Sequence, residues 1–238
     1  MSKRKIVLLS VVVVLLALII GCAIYVSDYY RADETAVSAM NGTENVTVYA
    51  EDNCVVFQPK EPVAGFIFYP GGKVEHTAYA PLMLELAKHD IMCVIVEMPF
   101  HLAVLNMNGA KKIPDQFPQI ESWYIGGHSL GGSMAASHAA KHTDTYDGLV
   151  LLAAYSTAQI TDLSVLSIYG TADGVMNAEK YEKYLGNLPK ETVEVVLDGA
   201  NHAGFGSYGA QDGDGEATIS QQEQVERTVQ AIVSMIKQ

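Results

Sequence analysis

The hydrophobic positions of this 238-residue chain follow two different patterns. Residues 6–26 form one apolar run without a charged side chain, and a basic tip, Lys3-Arg4-Lys5, precedes it. In a helix with a rise of about 1.5 Å per residue, such a run is long enough to cross a hydrocarbon core of about 30 Å. Short apolar runs then alternate with amphipathic ones to the end of the chain. The pattern predicts a basic tip and membrane anchor in residues 1–28 and one folded domain in residues 29–238.

Within the second region, the short apolar runs are rich in β-branched and aromatic residues, which favours buried strands. Strands are expected at 46–49, 54–57, 64–69, 91–96, 123–126, 149–154, 162–170 and 191–198, the first two forming a hairpin. Helices are expected at 79–89, 132–141, 178–185 and 220–237. Because strands and helices alternate, we expect an α/β fold with a mostly parallel central sheet and helices on both faces. No long insertion interrupts it, so any cap is minimal. Residues 102–120 are the nearest candidate, either a small element bordering a pocket or a solvent-facing connection.

The apolar run could be processed in either of two ways. Ile19-Ile20-Gly21-Cys22 loosely resembles a lipoprotein processing box, which would leave Cys22 lipidated. The run continues past this cysteine, however, and is longer than the apolar region of a cleaved signal peptide, which favours an uncleaved signal anchor. Both alternatives tether the chain to a membrane. The basic tip is expected to stay in the cytoplasm, which places the folded domain on the extracytoplasmic side in a single-pass topology.

Candidate chemistry begins at Gly127-His128-Ser129-Leu130-Gly131, a G-x-S-x-G pattern. It lies between a predicted strand and a small, Ala-rich predicted helix. A serine on such a sharp strand-to-helix turn is held in a strained conformation with its hydroxyl exposed. The context therefore predicts Ser129 as a nucleophile rather than as a chance match in a Gly-rich loop.

A serine nucleophile needs a base and an acid that orients the base. When the serine lies on such a turn, the acid and then the histidine are expected later in the chain, on loops after strands. Asp173, in the turn after strand 162–170, is the predicted acid, and His202, after strand 191–198, is the predicted base. Asp198 is the rival acid, although its place beside His202 in sequence is more typical of a turn residue.

An acyl-transfer site also needs N–H groups directed at the developing oxyanion. One candidate is the backbone N–H of Leu130, directly after the nucleophile. The second is expected from Pro70-Gly71-Gly72-Lys73, after strand 64–69, where either Gly72 or Lys73 could donate. A plain Pro-Gly-Gly turn is the alternative interpretation of this segment.

These motifs resemble those of the α/β-hydrolase superfamily: residues 127–131, 171–174 and 199–202 in the expected order. More narrowly, residues 68–75 and 201–209 resemble small bacterial membrane-anchored hydrolases that are loosely grouped with dienelactone hydrolases. The resemblance extends from about Tyr29 to the end of the chain and implies the α/β-hydrolase fold. Dienelactone hydrolases proper use a cysteine nucleophile, whereas this chain has Ser129, so a lactone substrate is not implied.

The expected function is hydrolysis of a small carboxylic ester, or a related acyl bond, through an acyl-enzyme intermediate. A serine peptidase or amidase is one alternative, and a catalytically retired, membrane-tethered binding protein is another. No cofactor or metal is expected, because no Cys/His cluster has zinc spacing. Asp212-Gly213-Asp214-Gly215-Glu216 lacks the full ligand series of a calcium loop and is typical of a solvated surface loop.

The charge of the chain excludes two classes of partner, and its few cysteines do not indicate a disulfide framework. All 27 acidic residues follow the apolar run and three of the 15 basic residues precede it, so the formal charge of residues 27–238 is −15. Such a surface repels nucleic acid and anionic headgroups, and neither is expected as a partner. Cys54 and Cys93 lie in predicted strands and are expected to be free thiols. The sequence does not indicate an oligomeric state.

Overall fold

The computed structural model describes residues 2–237. Its helices are α1 (Lys3–Ser27), α2 (Glu34–Ala39), α3 (Ala80–Ala87), α4 (Ile113–Gln116), α5 (Leu130–Ala139), α6 (Ala178–Leu185) and α7 (Gln221–Ile236). Its strands are β1 (Val46–Glu51), β2 (Cys54–Pro59), β3 (Ala64–Tyr69), β4 (Ile91–Val96), β5 (Trp123–His128), β6 (Gly148–Leu152), β7 (Ser164–Gly170) and β8 (Val193–Leu197). Short 3₁₀ turns lie at His76–Tyr79, Pro99–His101, Ala103–Leu105 and Ala203–Phe205.

The strands form one eight-stranded sheet in the order β1-β2-β4-β3-β5-β6-β7-β8. The β1–β2 hairpin and the β2–β4 pair are antiparallel, and every other neighbouring pair is parallel. The expected mostly parallel sheet is therefore confirmed. The strands β3, β4, β5 and β6 are buried along their whole length, which explains their unbroken apolar sequences.

Helices cover both faces of the sheet. On one face, α3 and α7 pack against each other and against a core that includes Phe66, Phe68 and Ile232. On the other face, α5 packs through the small side chains of Ala135 and Ala136. Because all parallel strands point the same way, the loops after β3, β5, β7 and β8 meet at one edge of the sheet.

The connection from residue 102 to 120 contains a short helix, α4, and is not a plain solvent-facing connection. Several of its apolar side chains, among them Ile113 and Phe117, are buried in the core on the α5 face, whereas Val104 and Leu105 near its start are exposed. The Tyr69 hydroxyl fixes it from the sheet by donating to the Met107 carbonyl at 2.9 Å and accepting from the Ala110 N–H at 2.8 Å. The part of the connection from Ala110 to Ile120 therefore packs into the domain core.

Helix α1 is long and apolar enough to cross a membrane, and none of its apolar window is buried against the rest of the protein. A membrane anchor and a signal sequence share this length and composition. Cys22, Cys54 and Cys93 form no disulfide, which agrees with the expectation of free thiols at Cys54 and Cys93. Burial raises the pKa of the Cys93 thiol well above its ordinary value, so this thiol is protonated at neutral pH.

Candidate active site

Ser129 lies at the point where β5 ends and α5 begins. Its backbone has φ 52° and ψ −122°, a left-handed conformation that costs energy in any residue with a side chain. Hydrogen bonds hold it there: the Ser129 N–H donates to the Leu152 carbonyl at 2.9 Å, and the Ser129 carbonyl accepts from the Ser133 N–H at 3.1 Å. The serine is partly exposed while its neighbours in β5 are buried. This is the strained strand-to-helix turn that the sequence pattern predicted.

The two glycines of the pattern allow α5 to lie close to the sheet. A Cβ at Gly127 would lie 2.6 Å from the Tyr69 carbonyl oxygen and 2.7 Å from the carbonyl carbon of Gly131. A Cβ at Gly131 would overlap the carbonyl oxygens of Tyr69 and Pro70. Since these neighbours are backbone atoms, they have little freedom to move away. The glycine positions are therefore set by packing around the serine turn.

Asp173 and His202, from the loops after β7 and β8, form a buried pair. The His202 Nδ1 lies 2.8 Å from Asp173 Oδ2, and the two side chains are 1% and 3% exposed. The other Asp173 oxygen accepts the backbone N–H groups of Val175 at 2.9 Å and Met176 at 2.8 Å. Burial by itself raises the pKa of Asp173, but the hydrogen bond to His202 and these two N–H groups outweigh it and hold the pKa below its usual value. The carboxyl is therefore ionised at neutral pH.

The opposite ring nitrogen of His202, Nε2, is not in contact with Asp173. Nε2 is buried and has no hydrogen-bond partner among residues 2–237. Within the same range, the structure contains no hydrogen bond between Ser129 and His202. The His202 ring nevertheless lies 4.4 Å, centroid to centroid, from the ring of His128, the residue that precedes Ser129. The structure thus brings the three predicted residues to one edge of the sheet and leaves the base with a free nitrogen.

Asp198, the rival acid, lies elsewhere. It is exposed, and its carboxylate accepts a hydrogen bond from the Thr171 hydroxyl at 3.2 Å. This contact joins the loops after β7 and β8 but leaves the His202 ring to Asp173. Asp198 is thus the turn residue that its position beside His202 indicated.

The two candidate donors after β3 differ in whether their N–H groups are free. The Lys73 N–H donates to the His101 carbonyl at 2.8 Å, and its ammonium group lies 2.7 Å from the Asp28 carboxylate. Neither the Gly72 N–H nor the Leu130 N–H donates to any acceptor in the described part of the chain. The Leu130 N–H is free because it lies in the first turn of α5, where N–H groups have no partner within the helix. The Gly72 loop packs on Leu130, since a Cβ at Gly72 would lie 2.9 Å from Leu130 Cδ2.

His128 is linked to the loop after β3 through the Tyr79 hydroxyl. The Gly71 N–H donates to the Tyr79 hydroxyl at 3.1 Å, and this hydroxyl lies 2.8 Å from His128 Nδ1. Because the Tyr79 oxygen already accepts from Gly71, its proton is available for Nδ1. Burial first, and the neighbouring His202 second, lower the pKa of His128 well below its ordinary value. A neutral His128 places no positive charge beside the imidazolium that His202 forms when it is protonated.

Asp214 is a residue of the site that the sequence analysis did not single out. Its Oδ1 accepts the N–H groups of Gly174 at 3.1 Å, His202 at 3.2 Å and Gly215 at 2.9 Å, and its Oδ2 accepts the Ala203 N–H at 2.8 Å. One carboxylate therefore joins the loop that carries Asp173 to the loop that carries His202. In sequence, Asp214 belongs to the Gly-rich acidic segment that was expected to be solvated.

Gln224 of α7 fixes the His202 loop from the other side. It is buried, its Oε1 accepts the Asn201 N–H at 3.2 Å, and its Nε2 donates to the Asn201 carbonyl at 2.8 Å. Among residues 2–237, no group of three or more His, Cys, Asp or Glu side chains could hold a metal ion. The site as described therefore consists of side chains and backbone N–H groups.

This geometry agrees with the comparison with known families. A family model described as alpha/beta hydrolase family matches residues 65–226, more than half of the chain. The chain belongs to the alpha/beta hydrolase family. As a member of this family the protein is a hydrolase, and the expected fold and superfamily are confirmed. A search of curated protein sequences found no match.

Solved structures show the same fold at low sequence identity. A protein described as a predicted CIB-like hydrolase from Thermoplasma acidophilum is 15% identical with a TM-score of 0.59, covering 79% of this chain and 99% of its own. Est1E from Butyrivibrio proteoclasticus is 14% identical with a TM-score of 0.57, covering 82% and 100%. A dienelactone hydrolase from Anabaena variabilis is 13% identical with a TM-score of 0.58, covering 80% and 99%. This alpha/beta hydrolase thus shares its fold with these proteins over nearly their whole length.

Proposed function

We propose that this alpha/beta hydrolase is a serine hydrolase that cleaves a carboxylic ester through an acyl-enzyme intermediate. Ser129 is the nucleophile, His202 the base and Asp173 the acid that orients the base. The observation that carries the proposal is the buried Asp173–His202 pair at 2.8 Å with its free Nε2, beside a serine in a strained left-handed turn. A base held by an ionised carboxylate at one nitrogen and free at the other can take a proton from a nearby hydroxyl.

In the first step, His202 Nε2 removes the Ser129 proton as the Ser129 oxygen attacks the ester carbonyl carbon. Asp173 fixes the imidazole tautomer, with the proton on Nδ1, and stabilises the imidazolium that forms. The N–H groups of Leu130 and Gly72 bind the oxyanion, because both are free and their residues are in contact. The imidazolium then protonates the leaving alcohol as the tetrahedral intermediate collapses.

In the second step, water attacks the acyl-enzyme, and His202 takes a proton from the water. A second oxyanion collapses to release the carboxylic acid, and the proton returns to the Ser129 oxygen. The neutral His128 beside His202 leaves the imidazolium without a like charge at its side. An amide could follow the same steps, so ester and amide cleavage differ here only in the leaving group.

The test is labelling by a fluorophosphonate probe and turnover of short p-nitrophenyl esters. Ser129→Ala is expected to lose labelling and to lower kcat by about 10⁴-fold or more, with an unchanged circular dichroism spectrum. Ser137→Ala is the matched control, because its hydroxyl lies on the same helix and only donates to the Ser133 carbonyl. Retained turnover in Ser129→Ala would refute the proposal. Wild-type protein that is neither labelled nor active would favour the retired binding protein, and peptide cleavage without ester cleavage would favour the peptidase.

A further inference from the structure

The segment that follows α1, residues 28–33, is bound to the loops of the candidate site. The Tyr30 N–H donates to the Lys73 carbonyl at 2.8 Å, and the Tyr30 carbonyl accepts the Glu75 N–H at 2.9 Å, which makes a parallel bridge with Val74. The Asp33 N–H donates to the Ser207 carbonyl at 2.9 Å. This segment therefore pairs with the Gly72 loop and with the loop that carries His202. The end of α1 is fixed at the site edge of the domain.

Side chains at the end of α1 reach the same loop. Lys73 Nζ lies 4.8 Å from the centre of the Tyr25 ring, in addition to its ion pair with Asp28. The Tyr29 ring lies against the His101 ring, with 3.9 Å between the ring centroids and 30° between the ring planes. Tyrosine is enriched where membrane helices leave the hydrocarbon core. The tyrosines at the end of α1 thus indicate the level of the bilayer surface, and the Gly72 loop lies at that level.

Exposed apolar side chains project from the loop after β4, beside the end of α1. Phe100, Val104 and Leu105 are 62%, 48% and 56% exposed. A cavity of about 370 Å³ lies between this loop and α1, lined by Val26 and Phe100 among others. Phe100 has φ 53°, a strained conformation for an aromatic residue. The fold thus holds large apolar groups in the open at the place where the anchor leaves the domain.

We infer that the candidate active site opens onto the membrane surface, where Phe100, Val104 and Leu105 enter the bilayer interface, and that the substrate is the acyl ester of an amphiphile supplied by that bilayer. The apolar surface formed by Phe100, Val104 and Leu105 contacts lipid, because this surface is continuous with the end of α1, which enters the bilayer. The formal charge of −15 on residues 27–238 argues against attraction to anionic headgroups, so apolar side chains make the contact. The substrate class rests on the proposed serine esterase function, whereas the orientation rests on the contacts of residues 25–33.

The orientation is tested without using activity. The full chain is reconstituted in phosphatidylcholine vesicles with and without bromine-labelled acyl chains, which quench nearby tryptophan fluorescence. The natural Trp123 is buried and gives a constant background. Phe100→Trp is expected to be quenched at least twofold. The matched control is Val63→Trp, a 61% exposed position directly before β3, at the opposite edge of the sheet from the site. Equal quenching at positions 100 and 63, or none at 100, would overturn the orientation.

The substrate class is tested by comparing two esters in the same vesicles. The ratio of the hydrolysis rate of vesicle-borne 4-methylumbelliferyl oleate to that of soluble p-nitrophenyl butyrate is measured for each variant. Phe100→Asn with Leu105→Gln is expected to lower this ratio at least tenfold, and Val63→Gln is expected to leave it unchanged. An unchanged ratio in the double variant would overturn the membrane-supplied substrate. If wild-type protein hydrolyses neither ester while the Phe100→Trp variant is still quenched, the proposed function is overturned and the orientation remains supported.

Discussion

The carboxylate of Asp214 is predicted to position the base and the acid, and Asp214→Asn tests this role. The carboxylate accepts four backbone N–H groups, two from the His202 loop, one from the Asp173 loop and one from Gly215. The amide keeps one oxygen acceptor, but it removes the charge and directs an NH₂ group at one of the N–H donors. Hydrogen bonds to a charged group contribute about 1.5–3 kcal/mol each, and water replaces part of this at a half-exposed site.

We therefore expect Asp214→Asn to lower the free energy of unfolding by about 2 kcal/mol, which for a chain of this size lowers Tm by roughly 4–8 °C. If the two loops separate by about 1 Å, kcat on a short ester falls by roughly 10²-fold. KM changes little, because Asp214 does not face the oxyanion donors. The assay is ester turnover at a temperature well below the Tm of the variant, together with thermal unfolding.

Asp212→Asn is the matched control, because it removes the same charge from the same loop and the Asp212 side chain is exposed. It is expected to leave both kcat and Tm unchanged. An Asp214→Asn variant with wild-type kcat would contradict the positioning role. A lower Tm with unchanged kcat would show that the carboxylate stabilises the loops without setting the geometry of the Asp173–His202 pair.

Three further predictions concern the acid, the serine turn and acid stability. Asp173→Asn is expected to lower kcat by about 10⁴-fold in the ester assay, because the base loses its tautomer control, whereas Asp198→Asn stays near wild type; the reverse order would make Asp198 the acid. Gly131→Ala is expected to lower the free energy of unfolding, measured in urea, by about 3 kcal/mol or more, since its Cβ would overlap backbone oxygens. Gly186→Ala, with nothing within 4 Å of the new Cβ, is the control and is expected to change stability by less than about 1 kcal/mol; equal effects would contradict the packing argument. Burial lowers the pKa of His138 to about 4, so the unfolded chain, with a histidine pKa of about 6.5, binds the proton first. The contribution of neutral His138 to the free energy of unfolding is then fully present above about pH 6.5, and it falls by up to ~1.4 kcal/mol per pH unit toward pH 4. His138→Gln is expected to reduce this slope in urea unfolding between pH 4 and 7, and an unchanged slope would refute the linkage.

The sheet and the serine turn could be predicted from sequence because their signals are local. Buried strands such as β4 and β5 are nearly continuous apolar runs, and a Gly-x-Ser-x-Gly pattern between a strand and an Ala-rich helix has few other uses. The order of Asp173 and His202 along the chain followed from the serine motif, and their convergence followed from the topology, since loops after parallel strands meet at one edge. Element bounds differed from the prediction by a few residues where apolar runs continue beyond the hydrogen-bonded ladder.

Other parts of the site depend on contacts between distant segments. Asp214 is 40 residues from Gly174, and its acidic, Gly-rich surroundings are the same whether a loop is solvated or folded back on four N–H groups. The choice between Gly72 and Lys73 depends on the His101 carbonyl, which the chain places beside the Lys73 N–H through two left-handed residues, Lys73 and His101. A positive φ at Lys or His cannot be predicted from sequence, because residues of these types rarely adopt that conformation.

The pairing of Tyr30 with Val74 determines where the chain can be cut to separate the folded domain from helix α1. A shortened chain that begins at Asp28 retains this bridge and the Asp33 N–H bond to Ser207, whereas one that begins at Glu34 loses both. Residues 28–33 are therefore held by the folded domain, and a cut that preserves their contacts lies before Asp28. A form of this hydrolase that lacked helix α1 would keep these contacts of the folded domain only if it retained the six residues 28–33.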